Sequence, residues 1–185
     1  MDLTVTKRTP GKKSENKRIR REGNIPATLY SQGKAGEEIV VEGAVFQKVL
    51  NKIEPGTLST KLFTLHLDGK TRRAIVKDIQ YDIITYAIIH LDFEQLHDQT
   101  PVNVNVPIQH IGAMDCIGVK LGGVLRSVIR KVKVRCLPKD IPSHFEVDVK
   151  DLGVNDSRRL SDIAIPKEVR PLINLKEIAV VVSKR

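Results

Sequence analysis

Alternation of apolar and polar positions divides this chain into two halves of different construction. Leu3 and Val5 alternate with polar neighbours and predict a first strand, which Pro10 and Gly11 break. Ser14 is placed to N-cap a helix over residues 15–22, with Gly23 as its stop. Residues 27–30 read as a strand, SQGKAG as a turn and EEIVVE as the returning strand. In AVFQKVLNKI, Val45, Phe46, Val49, Leu50 and Ile53 recur at helical spacing, so an amphipathic helix presents this stripe to a core until Pro55 and Gly56 end it. TKLFTLHL and RRAIVKDIQ flank Asp68-Gly69, the signal of a two-residue hairpin, and YAIIHLDF is a further strand.

After Phe93 the pattern changes. HDQT is a polar link, and it sets an expected boundary between domains at 1–95 and 96–185. Beyond it Val102, Val104, Val106 and Ile108 alternate cleanly, as do Val132, Val134 and Cys136, then Phe145, Val147 and Val149. EIAVVV reads as the last strand, while GVKLGG and LPKDIP read as turns. No helix longer than a turn or two is expected here. The chain is predicted to be mainly β, its second half an all-β domain. Its 185 residues leave room for two small domains.

Charge adds a direction to this outline. The net charge is +9 and the pI about 9.6. Residues 1–94 hold 16 Lys and Arg against 12 Asp and Glu (+4), and residues 95–185 hold 15 against 10 (+5). Only the first half concentrates its cations. Lys7, Arg8, Lys12, Lys13, Lys17, Arg18, Arg20 and Arg21 fall within one stretch, opposed there by Glu15 alone. Charge runs are usually solvated faces or tails. This one contains Ile19, stops at a Gly and runs directly into a strand, which predicts a folded charged surface. Cations on one small element make a footprint for a polyanion, and Tyr30 at the end of the next strand can contact a base or sugar. The first hypothesis is therefore nucleic acid, with RNA preferred.

Other chemistries lack their residues. The histidines at 66, 90, 97, 110 and 144 show no HxxxH or HExxH spacing, and neither Cys116 nor Cys136 belongs to a CxxC, so no metal site and no cofactor are expected. GVKLGGV lacks both the P-loop and the dinucleotide fingerprint. With no Trp and 4% aromatic residues, RNA binding by an aromatic-studded sheet is disfavoured. The two cysteines are expected to be reduced thiols. MDLTVTKR lacks the apolar core of a signal peptide, and no apolar run reaches the ~18 residues of a membrane span, so a soluble intracellular protein is expected.

His90-Leu91-Asp92-Phe93 is the second informative segment. On a strand His90 and Asp92 share one face, and Leu91 and Phe93 the other. Four residues alone describe an ordinary surface pair behind a core. Beside a basic segment the Asp gains meaning: phosphate repels a carboxylate, so an Asp in an RNA site accepts hydrogen bonds from base amino or imino groups.

Together these motifs resemble a known family. GKKSENKRIRREGNIPATLYS, LDGKTRR, VKDIQ and HLDF stand where bacterial large-subunit ribosomal protein twenty-five has GKGxxRRLRxxGxxPAxxYG, a DG hairpin, VxxxQ and HxDF. The second half, with VPIQHIG, GVKLGGVLRSVIRKVKVRCLPKDIP, HFEVDVKDLGVNDS and IPKEV, is similar to that family's long two-domain form, also called general stress protein Ctc. The resemblance implies an N-terminal β-barrel with short helices, like the anticodon-binding domain of a glutaminyl-tRNA synthetase, followed by a separate β domain. It implies no enzymatic activity. The protein would bind 5S rRNA in the central protuberance, contact other large-subunit ribosomal components, and act as a monomer within the ribosome. Carried over by position, the RNA contacts would be Arg8, Lys13, Arg18, Arg20, Tyr30, Lys77, His90 and Asp92. The cations would meet phosphates, Tyr30 the sugar-phosphate backbone, and His90 with Asp92 the base edges. The chain departs from the pattern at Lys12, Ser14, Lys17 and Ser31, and at YDIITY, where Tyr81 replaces an Arg of the family. A stress-response adaptor binding acidic protein, and a tRNA-binding accessory domain, are the rival readings.

Overall fold

A computed structural model describes residues 1–9, 13–31 and 35–184, Lys13 by its backbone alone. Pro10, Gly11, Lys12 and the centre of the SQGKAG turn lie outside the described residues. The chain divides into two units, Met1–Thr100 and Pro101–Arg185.

In the first unit β1 (Asp2–Lys7), α1 (Lys13–Arg21), β2 (Asn24–Tyr30), β3 (Glu37–Glu42), α2 (Gly43–Lys52), β4 (Leu62–Leu67), β5 (Lys70–Tyr81) and β6 (Ile88–Gln95) follow in order. The strands close into a barrel in the order β1-β3-β2-β6-β5-β4. β1 runs parallel to β4, and β2 parallel to β6, while the remaining neighbours are antiparallel. Alternation supplies the lining: Leu3, Val5, Leu29, Val41, Leu65 and Phe93 belong to one buried cluster. Phe63 stacks on Phe46 of α2 at 6.3 Å and meets Phe93 edge-on at 6.1 Å. The Asp68-Gly69 turn has φ of 49° and 75°, the left-handed pair a two-residue hairpin needs.

α1 begins at Lys13 and ends at Arg21, so Ser14 lies in its first turn and does not cap it. Glu15 in that turn and Arg18, Arg20 and Arg21 in the last complement the helix dipole. Gly23 terminates the helix with φ +80°, its N–H donating to the Arg20 carbonyl at 3.1 Å. A Cβ on Gly43 would lie 2.2 Å from the Gly23 carbonyl oxygen, so the end of α1 and the start of α2 touch through backbone.

The second unit holds β7 (Val102–Ile111), α3 (Ile117–Lys120), β8 (Val124–Ser127), β9 (Lys131–Cys136), β10 (Phe145–Asp148), β11 (Ser157–Arg159), β12 (Arg170–Pro171) and β13 (Ile178–Ser183). They form a four-stranded sheet ordered β10-β7-β9-β12 and a three-stranded sheet ordered β11-β13-β8. Val102, Val104, Val106, Val132, Val134, Phe145 and Val147 are buried, in step with the alternation of the sequence. Cys116 and Cys136 are buried free thiols. Burial first, then nearby Asp140, pushes the Cys136 thiol up from its ordinary pKa. No helix among the described residues is long and apolar enough to cross a membrane.

Candidate nucleic-acid interface

The outer face of β2 and β6 gathers residues far apart in sequence. Parallel pairing sets Thr28 beside Asp92 and Tyr30 beside Glu94, and the antiparallel β5 sets Gln80 opposite His90 and Asp78 opposite Asp92. Leu91 and Phe93 turn inward and are fully buried, while the side chains of His90 and Asp92 keep 21% and 30% of their surface exposed. His90 Nδ1 lies 3.2 Å from Asp92 Oδ1, off the line of a good hydrogen bond, and its Nε2 lies 3.4 Å from the Thr28 hydroxyl. Thr28 is the functional candidate the sequence argument passed over. Its signal was present: it stands two residues before Tyr30 and therefore on the same face.

Tyr30 has its phenol pKa pushed up to about 12, by burial first and then by the charges of Glu94, Asp92 and Asp78. It stays a neutral hydroxyl at physiological pH, able to donate a hydrogen bond to a phosphate or ribose oxygen. Lys77 sits where β5 slips register against β6, and its ammonium lies 2.7 Å from the buried carboxylate of Glu94. The bulge re-aims this residue and gives Glu94 the cation that a buried carboxylate requires.

Helix α1 brings the cations to this face. Ile19 is its buried foot, and the helix contacts β2. Arg20 Nε donates to the Ile89 carbonyl at 3.0 Å, tying α1 to β6 at the residue next to His90. Arg18 is 71% exposed and makes only a loose 3.6 Å pair with Glu22. Lys17 and Arg21 are exposed as well. The side chain of Lys13 lies outside the described residues.

Arg8 differs from the free phosphate contact that the resemblance implies. Its side chain is 8% exposed, it pairs with Glu38 at 2.6 Å, and it donates to Asn16 of α1. These contacts tie α1 to β3, while its buried Nε has no partner among the described residues.

The altered segment after Gln80 is a tight turn. Asp82 accepts from the backbone N–H groups of Ile84 and Thr85, both at 2.9 Å. Those bonds, Thr85 first, hold its carboxyl below the usual pKa. An open cleft of about 390 Å³ separates this turn from the end of α1, with Arg20, Gly23, Asn24, Asp82, Thr85 and Ile89 on its walls. No cluster among the described residues could hold a metal ion.

The first unit is thus a closed barrel that carries a cationic helix beside a polar, partly acidic strand face. Comparison with known proteins gives the class its name. Residues 3–93 match the Ribosomal L25p family, and residues 101–185 match the family described as ribosomal protein TL5, C-terminal domain. The chain is similar over its whole length, and over the whole of each relative, to large ribosomal subunit protein bL25 of Chlamydia pneumoniae (52% identical), Chlamydia abortus (51%) and Chlamydia muridarum (49%). The chain belongs to the bL25 family of large ribosomal subunit proteins, which are structural and not enzymatic.

Proposed function

We propose that this protein is a structural constituent of the large ribosomal subunit that binds 5S rRNA in the central protuberance, and that residues 1–95 carry the binding. One observation supports this most: Thr28, Tyr30, His90 and Asp92 share one outer face, and Arg20 ties the cationic helix to it. Lys13, Arg18 and Arg20 meet phosphates, which fix position without reading sequence. Lys77 adds a partly neutralised charge to them. Tyr30 donates to the sugar-phosphate backbone. Asp92 and His90 read base edges, in a loop whose irregular pairs open a groove that A-form RNA keeps closed to side chains. Arg8 braces the helix from beneath. Residues 96–185 contact neighbouring ribosomal components.

The experiment is a binding titration of the full chain and of residues 1–100 against 5S rRNA and against a version with the internal loop replaced by regular duplex. Both proteins should prefer the native loop to a similar degree. Equal affinity for both RNAs, or tight binding that needs the second unit, would sink the assignment. Capture of acidic proteins without any 5S preference would favour the adaptor reading.

A further inference from the structure

The second unit carries its own row of cations, on an element the first unit's site does not use. On β9 the side chains alternate: Val132, Val134 and Cys136 are buried, and Lys131, Lys133 and Arg135 are exposed. Pairing continues that outward row across the sheet. Asn103 of β7 lies opposite Arg135 and Asn105 opposite Lys133, and on the other flank Arg170 of β12 lies opposite Arg135. The outer face thus presents four cations with two amide side chains beside them, and all six residues are exposed.

Among the described residues no ion pair holds this row. Among the described residues the ion pairs of the second unit are Lys120 with Asp115 and His144 with Glu146, and neither includes a residue of β9 or β12. The outward acids of the sheet, Glu146 and Asp148, stand on β10, which pairs with residues 108–111 of β7, whereas β9 pairs with 102–107. Arg135 directly opposite Arg170 is an arrangement that weakens a sheet, since like charges across a strand pair repel. An anion placed against such a like-charged, exposed pair would relieve its repulsion.

We propose that the outer face of β7, β9 and β12 is a second RNA-docking surface, which grips the sugar-phosphate backbone of an rRNA segment independently of the first unit. The geometry favours RNA over an acidic protein. Successive cations along β9 stand about 7 Å apart, at two strand residues each, a regular ladder suited to successive phosphates. Asn103 and Asn105 keep the ground between the cations polar and uncharged. A protein interface would be expected to carry an aromatic core and few lysines, and this face has no aromatic residue. Binding here is without sequence preference, because no residue on the face is placed to read a base edge selectively. The surface would act whether or not the first unit selects 5S rRNA.

The test uses the full chain, large subunits stripped of this protein, and 5S rRNA alone. The variant Lys133→Ala/Arg135→Ala/Arg170→Ala should rebind subunits at least tenfold more weakly, with a log–log salt slope shallower by roughly 2, since each lost phosphate contact removes about 0.7–0.9. Its affinity for 5S rRNA alone should stay within about twofold, and its Tm should hold or rise as the Arg135–Arg170 repulsion is removed. Lys133→Arg/Arg135→Lys/Arg170→Lys should behave as the native chain. A photo-reactive side chain at Asn105 should crosslink to rRNA in the rebound subunit. Unchanged subunit affinity and slope would overturn the proposal. A crosslink to ribosomal protein alone would overturn it in favour of an acidic protein partner. If the triple alanine variant does not fold, the Asn105 crosslink on the otherwise native chain decides.

Discussion

Asp92→Asn separates reading a base from holding a backbone. The substitution keeps the size of the side chain and turns one acceptor into a donor. Asp92 is 30% exposed on the outer face of β6, and its contact with His90 at 3.2 Å is poorly aligned, so the fold depends little on its charge. A pair exposed to that degree is worth roughly 0–1 kcal/mol, and Asn can still face His90. The Tm should therefore barely move. Recognition should move much more, because a lost base-edge contact costs about 1–3 kcal/mol of discrimination, a factor of roughly 5 to 150. On a face proposed to meet phosphates, removing a negative charge should leave background affinity intact or raise it. The assay is competition between 5S rRNA and a loop-substituted RNA for each variant. The ratio of the two affinities should fall for Asp92→Asn, and His90→Ala should move it in the same direction. Arg18→Ala should weaken both RNAs about equally. An intact ratio for Asp92→Asn would mean that the pair is ordinary strand surface, and the base-reading argument would fail.

Binding of 5S rRNA should follow salt: Lys13, Arg18, Arg20 and Lys77 neutralising about four phosphates give a log–log slope of roughly −3, and a slope near zero in a potassium chloride titration would refute the clamp. Gly43→Ala forces a Cβ to within 2.2 Å of the Gly23 carbonyl, and overpacking of this kind costs about 1–3 kcal/mol, so thermal unfolding should come earlier and RNA affinity should drop with the displaced end of α1. Tyr30 should ionise at about 12 in an alkaline absorbance titration, and Tyr30→Phe should delete that step. The sign follows from its raised pKa: between pH 10 and 12 the fold keeps a proton that the unfolded chain has lost, so stability declines as pH rises through that window.

Local signals in the sequence proved readable where one residue's environment is set by its neighbours. The period of two along HLDF sorted His90 and Asp92 from Leu91 and Phe93, Asp68-Gly69 marked its hairpin, and Gly23 marked the end of α1. What escaped was set at long range. Nothing near Arg8 announces that Glu38 will claim its charge, and nothing near Lys77 announces the buried Glu94. Both pairs arise from strand pairing across the barrel. The short strands β8, β11 and β12 were missed for another reason. None of their residues is buried, so no apolar alternation of the kind that marks β10 announces them, and pairing to β9 or β13 holds them in place.

The parallel pairing of β2 with β6 reaches beyond geometry into timing. Thr28 and His90 meet across 62 residues of chain, and β6 is the last strand of the barrel to be synthesised. Such non-local pairing forms late, because the loop must close before the contact can reward it. Up to that moment a growing chain has its cationic stretch but no surface on which Tyr30, His90 and Asp92 stand together. On the proposed reading it would meet RNA through charge alone, without discrimination. If that reading holds, selectivity would arrive only with barrel closure, and a truncated copy that lacks β6 would have no means to occupy the specific site in place of an intact one.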